Sequence, residues 1–154
     1  MPTITKQKNA FMNETDPKLL VTGSELILDG QDSWPNFHDA EINDFKIWRG
    51  DIRPEDGVYI GPQITIQMEL CALKNPFAVL FRFEDCENIK MLGFSNQNPI
   101  MDLVFGIEER GNLKDGSPMT PYINIHFLPV WEFELSFKCF RVSVERIADH
   151  EGAV

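Results

Sequence analysis

Trp131-Glu132-Phe133-Glu134-Leu135-Ser136-Phe137-Lys138 carries the clearest structural signal in this chain. Large apolar residues alternate strictly with polar ones along it. A strand sends successive side chains to opposite faces, so this stretch has one apolar and one wet face. On a helix the same residues would be spread around the whole circumference. The period of two recurs along the chain. Ile64, Ile66, Met68 and Leu70 form one row, and Phe77, Val79, Phe81 and Phe83 a second. Met101, Leu103, Phe105 and Ile107 form a third, and Ile123, Ile125 and Phe127 a fourth. Clean alternation favours antiparallel sheets over a parallel sheet buried on both faces. The expected fold is mainly β: an antiparallel two-sheet sandwich or flattened barrel, with at most one or two short helices.

Between the rows lie turn signals: Arg53-Pro54-Glu55-Asp56-Gly57, Gly61-Pro62, Lys74-Asn75-Pro76, Asn96-Gln97-Asn98-Pro99 and the long Gly111–Pro121 segment. The apolar phase slips twice. It moves to Leu92 and Phe94 after Met91, and to Phe140, Val142 and Val144 after Cys139. A bulge or a corner is expected at each. Asp16-Pro17 reads as a helix start with Gly23 as its stop. Residues 1–24 read as a lead-in, 25–149 as one β-rich domain, and 150–154 as a loose tail.

A chain of 154 residues suits one domain with a full core. Twelve Phe against two Tyr indicate aromatics used mainly to fill that core. With 24 acidic and 14 basic residues, the net charge is −10. Such a field repels phosphate backbones and anionic membranes and attracts basic partners. Direct nucleic-acid or membrane binding is disfavoured, although acidity also serves solubility alone. Cys71, Cys86 and Cys139 form no CxxC pair. The first nine residues hold no apolar signal core, and no run is long enough to span a membrane. A reducing, cytoplasmic location is the expectation.

Chemistry-bearing residues concentrate in Trp34-Pro35-Asn36-Phe37-His38-Asp39-Ala40-Glu41. On an extended chain His38 faces away from Asp39 and Glu41, so the three do not converge on one ion. On a helical turn His38 meets Glu41, but a metal still needs further ligands. A composite of His38 and His126 with Asp39 or Glu41 is the remaining metal option, and His150 lies in the tail. We assign no metal, no cofactor and no catalytic residue. GxSxG, P-loop and GxGxxG signatures are missing from the sequence. Two readings of the run stay open. In one, Trp34 and Phe37 seal the core end while His38 or Asp39 satisfies turn backbone. In the other, His38, Asp39 and Glu41 form a partner-binding surface on a rigidly held loop. Glu132 and Glu134, on the wetter face of their row, join that candidate surface.

The Trp34–Glu41 run with Ile42 resembles the N-terminal signature of a bacterial immunity-protein family, immunity protein 50. Val79–Ile89 resembles the family's central strand and corner, Gly93–Asn98 the segment after it, and Phe137–Glu145 the C-terminal strand. The resemblance spans roughly residues 34 to 147. The chain departs from the pattern in carrying residues 1–33 ahead of the first motif. Such proteins bind and block a toxin domain encoded beside them. The resemblance therefore implies a non-enzymatic protein whose partner is a cognate toxin domain, covered at its active or substrate-binding site. Two rivals follow from the residues: a small hydrolase using His38 with Asp39 or Glu41, and a β-sandwich module for carbohydrate or lipid. The last would need exposed Trp or Tyr rows, whereas Trp48 and Trp131 fit apolar rows or their ends.

Overall fold

The computed structural model describes residues 14–30, 32–49, 61–74 and 76–147. The turn expected at Arg53–Gly57, Asn75 of the Lys74–Pro76 turn, His150 and the expected tail lie outside these residues. The chain is mainly β, in two packed sheets not closed into a barrel. Nine strands are described: β1 (Val21–Thr22), β2 (Glu41–Trp48), β3 (Gln63–Glu69), β4 (Ala78–Glu84), β5 (Glu87–Leu92), β6 (Ile100–Glu108), β7 (Tyr122–Pro129), β8 (Glu134–Cys139) and β9 (Arg141–Ile147). Sheet one has the order β1-β9-β4-β3-β2, and sheet two the order β5-β8-β7-β6. All pairings are antiparallel except β1 with β9, which makes sheet one mixed.

The alternating rows become the two inner faces. Ile64, Ile66, Met68, Val79, Phe81, Phe83, Val142 and Val144 of sheet one are buried. Facing them are Leu103, Phe105, Ile123, Ile125, Phe127, Leu135 and Phe137 of sheet two. Phe83 joins the layers, with its ring 4.9 Å from Phe137 and 6.2 Å from Phe127. Burying one such side chain stabilises the fold by about 1.5–3 kcal/mol.

Several expectations are corrected. Met101 is 40% exposed, because a register shift between Ile100 and Asp102 puts Ile100 in the core instead. Trp131 is 65% exposed, since it lies in a bend before β8 rather than in the strand. Trp48, at the end of an edge strand, is half-exposed. Near Met91 the one register shift lies earlier, between Glu87 and Lys90, where Asn88 takes φ 58°, and pairing with β8 runs unbroken from Lys90 to Leu92, so no bulge or corner marks the expected slip. Leu92 and Phe94 stay exposed. The slip after Cys139 is a corner: β8 lies in sheet two and β9 in sheet one, and the Phe140 N–H donates to Glu84 O at 3.1 Å. Phe140 does not join the core. It stacks on Tyr122 with centroids 5.0 Å apart.

Residues 14–24, read as lead-in, belong to the sandwich. Glu14 bridges Gly106 on the edge of β6, and Val21 of β1 is buried beside β9. Between them α1 (Pro17–Leu20) starts as the sequence indicated. Asp16 caps it by accepting from Lys18 N at 3.0 Å, and Pro17 opens it. It ends at Val21, which enters β1, rather than at Gly23. The Gly111–Pro121 segment is an ordered extension of the β6–β7 hairpin. Leu113 N donates to Ser117 O at 2.7 Å and Met119 N to Gly111 O at 2.9 Å.

Candidate functional site

The Trp34–Glu41 run forms a clasp between the sheets. Asn36 Oδ1 accepts from His38 N at 2.8 Å, and Ala40 N donates to Phe37 O at 2.9 Å, closing a tight turn. Asp39, at φ 62°, occupies the left-handed region that Asx residues tolerate best among non-glycines. The turn is then tied to sheet two. Asp39 N donates to Ile100 O at 2.8 Å, and Ile100 N donates back to Ala40 O at 3.0 Å. On the inner side Phe37 is fully buried. Trp34 is half-buried and packs on Phe37, Phe81 and Phe105 at centroid distances of 5.6, 6.4 and 5.9 Å.

A second set of bonds extends the clasp through Asn98, one of few buried polar side chains among the described residues. Asn98 Oδ1 accepts from Ser95 N at 2.7 Å, and its Nδ2 donates to Ser95 O at 2.7 Å. Asn98 N donates to Glu41 Oε1 at 2.9 Å, and Asn98 O accepts from Ile42 N at 3.2 Å. One carboxylate oxygen of Glu41 is thus engaged in holding β2 against the segment before β6. Sequence reasoning singled out Glu41 but missed Asn98. The available signal was the Asx-Pro pair Asn98-Pro99, which marks a turn and not a sheet-to-sheet tie.

His38 and Asp39 are the outward part of the clasp. Their side chains are 57% and 59% exposed, and His38 Nε2 lies 3.5 Å from Asp39 Oδ2. His38 Nδ1 lies 3.3 Å from Met101 O. The neighbouring hairpin end brings Glu69 and Cys71 close. Partial burial raises the Cys71 thiol pKa, and so do the charges of Glu69, Glu41 and Asp39. Three carboxylates therefore act on one surface around an exposed thiol that resists ionisation.

His126 does not join His38. It sits in β7 on the outer face of sheet two, with Nε2 2.7 Å from Glu134 Oε2 across to β8. Glu134 is accordingly a half-buried partner of His126, whereas Glu132 is exposed in the bend before β8. The same face carries Glu108, which accepts from Asn124 at 3.2 Å and pairs with Lys138 at 3.3 Å. The Asn124 hydrogen bond, then Lys138, lowers the Glu108 pKa. Glu87, accepting from the Tyr122 hydroxyl, raises the phenol's pKa. No group of three or more His, Cys, Asp or Glu able to hold a metal occurs among the described residues. Neither does a helix long and apolar enough to cross a membrane.

An open depression lies where the β4–β5 and β8–β9 connections change sheets, lined in part by Gly61, Pro62, Asp85, Ile89 and Phe140. Both of its carboxylates are engaged: Asp85 accepts from Gly61 N at 2.9 Å and from Arg141 Nη2 at 3.5 Å, and Glu87 accepts from the Tyr122 hydroxyl. Beneath it Cys86 is buried, which pushes its thiol pKa up to about 12, and burial raises that of Cys139 further. Both thiols stay protonated in the folded state where unfolded thiols ionise. Their contribution to stability is complete below the unfolded thiol pKa, near 8.5, and falls as pH rises above it toward the folded values. Ellman titration of the folded protein at mildly alkaline pH is therefore expected to modify Cys71 alone and slowly. All three thiols should react in denaturant. Fast native reaction of two or more would contradict this burial.

No family model, curated protein or solved structure matches this chain.

Proposed function

We propose that this chain is a non-enzymatic immunity protein that binds a cognate toxin domain in the cytoplasm and covers its active or substrate-binding site. The observation that carries the proposal is the clasp. It presents His38 and Asp39 on a turn braced by backbone bonds to sheet two, beside Glu41 and Glu69. A rigid acidic surface is suited to a basic substrate groove, because little order is lost on docking and charge speeds encounter. The net charge of −10 favours the same class of partner, and the sequence resemblance to immunity protein 50 points the same way. Glu134, which holds His126, and Glu41, which holds Asn98, have structural duties as well. Asp39 and Glu69 are the cleaner probes.

The test is co-expression with the toxin domain encoded beside the gene, followed by binding kinetics. The chain is expected to protect the cells and to form a stable complex. Asp39→Asn, which keeps an Asx residue at φ 62°, with Glu69→Lys should slow association about fivefold at low salt, with a smaller effect at high salt. No protection together with no complex removes the proposal. A hydrolytic activity of the chain alone, abolished by His38→Ala, would establish the enzyme reading through the His38–Asp39 pair instead.

A further inference from the structure

Sheet one ends on β2, and among the described residues no strand lies beyond Asp44–Trp48. The other described edges are shorter, interrupted or bridged. β1 is two residues long, β5 is bulged between Glu87 and Lys90, and β6 is bridged at Gly106 by Glu14. β2 has a shift between Ile42 and Asp44 and a bridge from Glu41 to Pro99, but from Asp44 to Trp48 it keeps unbroken register with β3 and no bridge among the described residues. It also exposes Ile47 at 49% and Trp48 at 50%. An open row of backbone donors and acceptors with apolar side chains is a template for strand pairing.

We propose that this edge is a homodimer interface. In it, β2 pairs antiparallel with β2 of a second copy about a twofold axis at Phe45, so that sheet one continues across both protomers. The twofold requires one residue to lie opposite itself, which leaves few registers. Centring on Lys46 sets lysine against lysine, and centring on Asp44 sets aspartate against aspartate. Centring on Phe45 sets the two Phe45 residues opposite each other. It also sets Asp44 opposite Lys46 of the second copy, twice over. Asp44 and Lys46 share one face, with Lys46 Nζ 3.5 Å from Asp44 Oδ2 in the single chain, so both can turn to the facing strand. Opposite charges directly across a strand pair stabilise it, and like charges destabilise it. Local charge also favours a second copy over a basic partner. Asp44–Arg49 holds one acid and two bases (Asp44, Lys46 and Arg49), whereas the whole chain carries −10. Repulsion between two copies is therefore weak here, and a basic protein is drawn to other surfaces.

Sedimentation of the full chain from low micromolar to near-millimolar concentration tests this. The wild type should pass from 17.7 kDa to twice that mass. Asp44→Lys and Lys46→Asp should each weaken dimerisation about tenfold, because two attractive cross-strand pairs become repulsive. An equimolar mixture of the two variants should recover a heterodimer, since two bases at positions 44 and 46 then face two acids across the axis. The double swap D44K/K46D should dimerise as the wild type does, and circular dichroism should show every variant folded. The proposal falls if the wild type is monomeric throughout. It also falls if the single variants dimerise like the wild type, or if the mixture of variants stays monomeric.

Discussion

Phe81→Ala is expected to lower the stability of the fold by about 3–5 kcal/mol, the range for deleting a large buried aromatic. Phe81 lies in the middle of sheet one and is fully buried. Its ring lies 5.7 Å from Phe83, 6.0 Å from Phe37, and 6.4 Å from both Trp34 and Phe105. It therefore joins the clasp to both sheets. Truncation would leave a cavity walled by rigid rings from β4, β6 and the clasp, and such walls collapse poorly into the space. Set against a typical total of about 5–15 kcal/mol, the loss takes a large share of the stability. Urea unfolding followed by Trp fluorescence measures it, and Trp34, at the edge of the cavity, should report the change directly. Phe81→Leu retains much of the volume and should cost less. A loss below about 1 kcal/mol for Phe81→Ala would mean that the aromatic cluster is not the centre of this core.

Gly93→Ala should cost about 3 kcal/mol, although it adds only one methyl group. Two causes act together. Gly93 has φ 72°, where a side chain is strained. Its Cβ would also lie 2.4 Å from Glu132 O and 2.6 Å from Glu132 C. Those atoms are backbone, so no rotamer change relieves the overlap. The chain would have to separate the Gly93 turn from the bend before β8. The damage should spread to Phe94, which packs against Phe45 at 6.2 Å and Phe133 at 5.8 Å. Gly111→Ala is the control: φ is 86° there, but nothing lies within 4 Å of the added carbon. The control isolates the strain alone and should cost about 1 kcal/mol. Equal losses at the two positions would show that the Glu132 contact contributes nothing.

That the chain is built of strands with one buried face was legible in the order of its residues. Alternation is a local property, and the apolar members of the rows Ile64–Leu70, Phe77–Phe83 and Ile123–Phe127 were buried wherever their strands came to lie. The start of α1 was legible too, because Asp16-Pro17 acts on the adjacent backbone. Where one sheet ends and the other begins depends instead on long-range strand pairing. The change of phase at Cys139–Phe140 is equally compatible with a bulge inside one sheet and a corner between two; pairing of β8 with β7 and of β9 with β4 selects the corner. Trp131 and Met101 fitted the period but not the core, because strand ends and bulges depend on partners distant in the chain. The candidate site divides in the same way. The Trp34–Glu41 run was visible as a concentration of side chains. Its ties to Ile100 and Asn98, the approach of Glu69 and the His126–Glu134 pair are long-range or register-dependent contacts. Local preference places a side chain on a face of its own strand, whereas strand register and sheet packing decide which side chain it meets there.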